Sequence, residues 1–145
     1  MPSLRKEITI AAPAEDVWSA VRDFGAVHRR VARGFIVDCK LDGDARIVTF
    51  ANGGEARELL VSLDDDSRRL VYAITNERIA HYNAAVQVFD EGAGRSRVVW
   101  TIDLLPSGIE GYIDQRMDEA VLAMKATLGA QLGSRGLGPT GSRAI

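Results

Sequence analysis

Cysteine is nearly absent from this 145-residue chain, histidine is scarce, and neither sign of charge is gathered into a block. The lone Cys39 excludes an intramolecular disulfide, and with only two histidines no Cys/His grouping has the spacing of a zinc site. The 18 basic and 20 acidic residues leave a formal charge of -2. They form no cationic arm, so a phosphate-tracking surface, and with it nucleic-acid binding, is not expected. The densest basic group, Arg29, Arg30 and Arg33 beside His28, reads as a solvated face. No run approaches the ~18 apolar residues of a spanning helix, and MPSLRKEITI lacks the apolar core of a signal peptide. The expectation is a cytoplasmic chain without stable membrane insertion. GxSxG, HExxH, a glycine-rich phosphate loop and paired carboxylates are also missing, so no metal, nucleotide or other cofactor is expected and no residue is assigned as catalytic.

What is present is ordinary for a packed domain: 46% hydrophobic and 26% charged residues, in a length that suits one core. Leu4 to Ile10 alternates apolar and polar residues and reads as a half-buried strand. Pro13, then Glu15 and Asp16, then Val17, Trp18, Val21 and Phe24 at helical spacing predict a short helix continuing raggedly toward Ala32. From Phe35 to Leu104 six strand-like segments follow without an intervening helix, so they must pair antiparallel. Phe35, Val37, Cys39 and Leu41 are expected on one face, and Asp42-Gly43-Asp44, Asn52-Gly53-Gly54 and the Asp64-Asp66 and Glu91-Gly94 stretches supply turns. Tyr72 falls on the strand before last but one, between Leu70 and Ile74. Tyr82, Ala84, Val86 and Val88 share a face with His81, Asn83 and Gln87 opposite; Val98, Trp100, Ile102 and Leu104 alternate on the final strand. Ile113, Met117, Val121, Met124, Leu128 and Leu132 then recur at helical spacing as the apolar stripe of one long helix. Residues 1–132 form one domain in this reading, and 133–145, rich in Gly, Ser and Arg, a flexible tail.

The fold class is therefore α+β: a curved seven-stranded antiparallel sheet wrapped around a long C-terminal helix of about seven turns. Such a grip leaves space behind it, and Met117 and Met124 suit an adaptable wall, though for either alone plain core gap-filling is the stronger reading. Tyr72 and Trp100, inward by alternation, carry the same two readings.

The segments APAEDVW with RDF, GDARIVTF, GGEARELLVSLDD, YAI, HYNAAVQVF and VVWTIDLLP, in that order over residues 4 to 132, resemble the START-like (SRPBCC) superfamily. That superfamily includes polyketide cyclase/dehydrase and lipid-transport proteins, birch-pollen allergen relatives and plant abscisic-acid receptors. The resemblance implies a helix-grip fold and a hydrophobic cavity. It also implies that Glu58 and Tyr82 stand where the plant receptors direct a glutamate and a tyrosine inward. Alternation agrees for Tyr82; for Glu58 it leaves open an outward carboxylate or one paired with Arg57 or Arg46. The receptors' gate and histidine-bearing latch have no counterpart in ANGGE and TNERIA, and AVHRRVARGF replaces the tryptophan-histidine-proline segment of many bacterial relatives, so hormone sensing is not implied.

The expected ligand-binding set is Glu58, Tyr72, Tyr82, Trp100, Met117, Val121 and Met124. The expected partner is an apolar small molecule (lipid, isoprenoid or aromatic polyketide-like) bound or carried in the cavity. The alternative is a cofactor-free cyclase, dehydratase or isomerase working with acid/base groups in the same space. Oligomeric state is not legible.

Overall fold

The computed structural model describes residues 3–137, with side chains through residue 130. Seven antiparallel strands form one sheet: β1 Ser3–Ile10, β2 Ile36–Asp42, β3 Ala45–Phe50, β4 Glu55–Asp64, β5 Arg69–Ala73, β6 His81–Gly92 and β7 Arg95–Leu105. Their spatial order is β1-β7-β6-β5-β4-β3-β2. Five consecutive hairpins build the run from β2 to β7, and β1 returns to the far edge against β7, Leu4 opposite Ile102 and Ile8 opposite Val98. Tight reversals fall where the sequence offers residues that tolerate positive φ: Gly43 at +61° between β2 and β3, Gly53 at +93° between β3 and β4.

Period-2 alternation decides the two faces. Tyr82, Ala84, Val86 and Val88 on β6 and Val98, Ile102 and Leu104 on β7 are buried, whereas His81 is exposed. The buried face is concave, and α3, Glu110–Leu137, lies along it. Met117, Ala120, Met124 and Leu128 are buried from the helix side, each 5% exposed or less. Lys6, on the concave side of β1 opposite Trp100, fixes the helix by ion pairs at 2.7 Å to Asp114 and 2.8 Å to Asp118. Farther along, Thr127 Oγ1 donates to the Ala123 carbonyl and accepts the Arg33 backbone N–H at 2.9 Å, tying the approach to β2 onto α3.

The segment between β1 and β2 is broken, not one ragged helix. α1, Ala14–Val21, buries Val17, Trp18 and Val21; a single 3-10 turn, Phe24–Ala26, leads to α2, Val27–Arg30. Asp23, with φ -78° and ψ 80°, is where the helix is interrupted. α1 is held to the β4–β5 turn by Asp65, which accepts from Trp18 Nε1 at 2.8 Å and from Arg22 Nε at 2.8 Å.

Two further departures from the sequence pattern are local. A bulge between Ile36 and Asp38 makes Val37 the extra residue and turns it outward, 53% exposed. Ile36 takes its place on the concave face. Leu41 keeps the parity of Cys39 but stands at the open edge, 65% exposed. The helix α3 continues to Leu137, past the Leu132 limit, so the boundary of a tail at 133 does not coincide with the helix end. Residues 138–145 of that expected tail, and the side chain of Leu132, lie outside the described residues.

Candidate functional site

Between the concave sheet and α3 lies a cavity of about 290 Å³. Its sheet wall is built by inward positions of neighbouring strands: Phe50 and Arg46 on β3, Ala56 and Glu58 on β4, Leu70 and Tyr72 on β5, Tyr82 and Val86 on β6, Trp100 and Ile102 on β7. The helix contributes Ile113, Arg116, Met117, Ala120 and Met124, and Val21, Val27 and Val31 close the end beneath α1 and α2. The exposed lining residues Asn52, Gly54, Glu55, Asn76 and Tyr112 mark where the cavity reaches the surface.

The polar content of this apolar space is concentrated in one cluster. Arg46 and Glu58 are register partners on β3 and β4, so their side chains share the concave face. Arg46 Nε donates to Glu58 Oε1 at 2.7 Å, with side chains only 6% and 7% exposed. Arg46 Nη1 donates to the Phe24 carbonyl at 3.1 Å, and the guanidinium sits 4.1 Å from the Phe24 ring centroid and 5.3 Å from that of Tyr72. This cradle satisfies the cation on three sides. Tyr72 and Tyr82 stand next to the pair. Burial pushes the Tyr72 phenol far above its ordinary range, and the charge of Glu58 adds to the rise while Arg46 opposes it. Burial likewise raises Tyr82, reinforced by the neighbouring Tyr72 phenol and by Glu58. Both phenols are therefore neutral hydrogen-bonding groups at any physiological pH. The buried Trp100 Nε1 makes no well-aligned hydrogen bond among the described residues; the polar group it approaches is the Tyr72 phenol.

At the surface end, the Arg116 guanidinium lies 4.5 Å from the Phe35 ring centroid and 5.4 Å from that of Phe50. The two rings meet edge to face at 5.6 Å, and Arg116 Nη1 also donates to Glu119 Oε1 at 2.8 Å.

Of the seven residues singled out in the sequence, Glu58, Tyr72, Tyr82, Trp100, Met117 and Met124 all line this cavity. Val121 does not; it is half-buried against the core beside the cavity, because the helical stripe is wider than the part facing the void. Glu58 is both inward and paired with Arg46, so two readings set against each other in the sequence are true together. The structure adds Arg46 and Arg116. Arg46 was legible in GDARIVTF, where it alternates in step with the inward Val48 and Phe50; Arg116 shares a helix face with Ile113 and Ala120.

Among the described residues no group of three or more His, Cys, Asp and Glu is clustered for a metal ion, and no described helix is long and apolar enough to cross a membrane.

Fold and cavity are those of the helix-grip class. The profile of the family described as polyketide cyclase / dehydrase and lipid transport matches residues 1–134, so the chain belongs to that family, within the START-like superfamily. No curated protein matches significantly. Among solved structures, a Thermobifida fusca protein is 28% identical over 92% of this chain and 94% of its own, with a TM-score of 0.75. A START superfamily protein of Mycobacterium smegmatis is 12% identical over 92% of this chain and 98% of its own, TM-score 0.71. Norcoclaurine synthase of Thalictrum flavum, a point mutant in complex with a transition-state analogue, is 17% identical over 93% of this chain and 96% of its own, TM-score 0.70. The last two share the fold.

Proposed function

We propose that the protein binds a compact apolar small molecule in the cavity between the sheet and α3. The observation that carries this is the void itself. About 290 Å³ opens from the surface into the space between the sheet and α3, whereas protein interiors ordinarily fill such space. Its wall is mostly aliphatic and aromatic with a few convergent polar groups, the composition of small-molecule sites. The volume stands near the lower edge of the roughly 300–1,000 Å³ range of such sites, which favours a short isoprenoid or a molecule of a few rings over a long-chain lipid. Affinity would come from apolar area removed from water, about 25 cal/mol per Å². Glu58, Tyr72, Tyr82, Trp100, Met117 and Met124 are the proposed contact residues.

The test is native mass spectrometry of the purified protein, followed by a thermal-shift screen of isoprenoids, flavonoids, polyketides and fatty acids beside nucleotides and divalent metals. Binding to the folded state raises the midpoint, and compact apolar compounds are expected to do so. Stabilisation confined to nucleotides or metals would overturn the reading.

A second reading, cofactor-free acid/base chemistry, is favoured by one observation: a carboxylate and two phenols, all buried, converge in a mostly apolar space. With both phenols held neutral they would serve as donors, leaving Glu58 as the proton acceptor. Turnover of a stabilising compound, lost in Glu58→Gln, would establish it.

A further inference from the structure

The Arg46–Glu58 pair has hydrogen-bonding capacity that the protein leaves unused. Glu58 Oε1 takes the bond from Arg46 Nε, and Arg46 Nη1 is bound to the Phe24 carbonyl; among the described residues nothing reaches Glu58 Oε2 or Arg46 Nη2. Both side chains are more than nine-tenths buried and line the cavity. The Tyr72 phenol, which approaches the Trp100 indole N–H, borders the pair. One strong acceptor and one strong donor thus remain open in the cavity, beside the phenols of Tyr72 and Tyr82. Buried polar groups left unmet are costly, and the group that completes them gains correspondingly.

The pair's charges cancel. A ligand carboxylate beside Glu58 would bring a second anion into a low-dielectric site whose other cation, Arg116, is paired with Glu119 at the surface end, and an ammonium would meet Arg46 in the same way. A hydroxyl group answers the arrangement: it donates to Glu58 Oε2 and accepts from Arg46 Nη2. We propose that the cavity selects an uncharged ligand carrying a hydroxyl or phenol group, docked on the Arg46–Glu58 pair, and discriminates against carboxylates of the same shape. This rests on the reading of the cavity as a small-molecule site.

The experiment is calorimetric titration of the full chain near neutral pH with three probes of one skeleton: naphthalene, 2-naphthol and 2-naphthoate. The expected ranking places 2-naphthol first, roughly tenfold or more above naphthalene, since a hydrogen bond to a charged group contributes about 1.5–3 kcal/mol, and 2-naphthoate last. In Glu58→Gln, which removes the anion and leaves Arg46 uncompensated, the order of 2-naphthol and 2-naphthoate should reverse. Wild-type protein that binds 2-naphthoate best, or all three alike, would overturn the proposal while leaving cavity binding intact. No binding of any probe would overturn cavity binding as well. The wild-type ranking decides the matter even if the variant does not fold.

Discussion

Arg46 and Glu58 occupy directly opposed positions on adjacent strands and form a 2.7 Å ion pair on the concave face of the sheet, under α3. Two charges removed from water in this way hold each other in place and are vulnerable singly. Glu58→Ala or Arg46→Ala alone should cost about 3–5 kcal/mol of stability, because each leaves a buried charge uncompensated, whereas an apolar replacement of both at once should cost much less. Urea unfolding of the two single variants and of R46M/E58M checks this; additive losses would show the pair to be solvated.

The two tryptophans differ in their surroundings and should report separately. Trp18 Nε1 is committed to Asp65 at 2.8 Å, while Trp100 lines the cavity. A cavity ligand should shift or quench the emission of the wild type and of Trp18→Phe, and Trp100→Phe should abolish the response. A response that survives in Trp100→Phe would place the ligand elsewhere.

Alkali tests the burial of the phenols. Tyr72 and Tyr82 have folded pKa values raised above the ordinary 10.0, chiefly by burial. Their contribution to stability is intact below that unfolded value and is lost as pH climbs through the raised folded ones. In a spectrophotometric titration their ionisation should coincide with the loss of circular dichroism, and Tyr72→Phe should delete one phenol from that late step. Ionisation of Tyr72 and Tyr82 well before unfolding would contradict it.

In acid the sign is opposite. Asp65 is held below its ordinary 3.8 by hydrogen bonds from Arg22 and Trp18, so what it adds to stability is present above 3.8 and is lost as pH falls through the lower folded value. Asp65→Asn should flatten that acid limb of the stability curve and loosen α1 from the β4–β5 turn, read as faster hydrogen exchange in Ala14–Val21. An unchanged acid limb would assign the anchoring to the packing of Trp18 alone.

Most of the architecture was legible because each element carries one clear period: two for β6 and β7, helical for α3. Boundaries moved where the period was interrupted. At Val37 an extra residue in β2 turns the chain without any glycine or proline to announce it, and α1 stops at Asp23 by a backbone change its side chain does not signal. The cavity wall was read from alternation, and Tyr82, Tyr72 and Trp100 lie where it put them. Arg46 entered the sequence reading only as one candidate partner of Glu58, for a physical reason: a lone arginine on a strand is ordinarily a solvated residue, and pairing β3 with β4 in register puts both side chains on the same buried face. Val121 was included because sequence periodicity marks the buried side of a helix but not the stretch of that side left unfilled.

The direct test of the account is to fill the cavity. Ala120 is 2% exposed on α3 and faces the void. Ala120→Leu should occupy part of that space and leave the thermal midpoint unchanged or higher, apart from any strain of the larger side chain. Titration calorimetry with 2-naphthol on the wild type and on Ala120→Leu, with melting followed by circular dichroism, should show binding by the former and a loss of at least about tenfold in affinity by the folded variant. Equal binding by both would contradict the claim that the ligand lies between the sheet and α3.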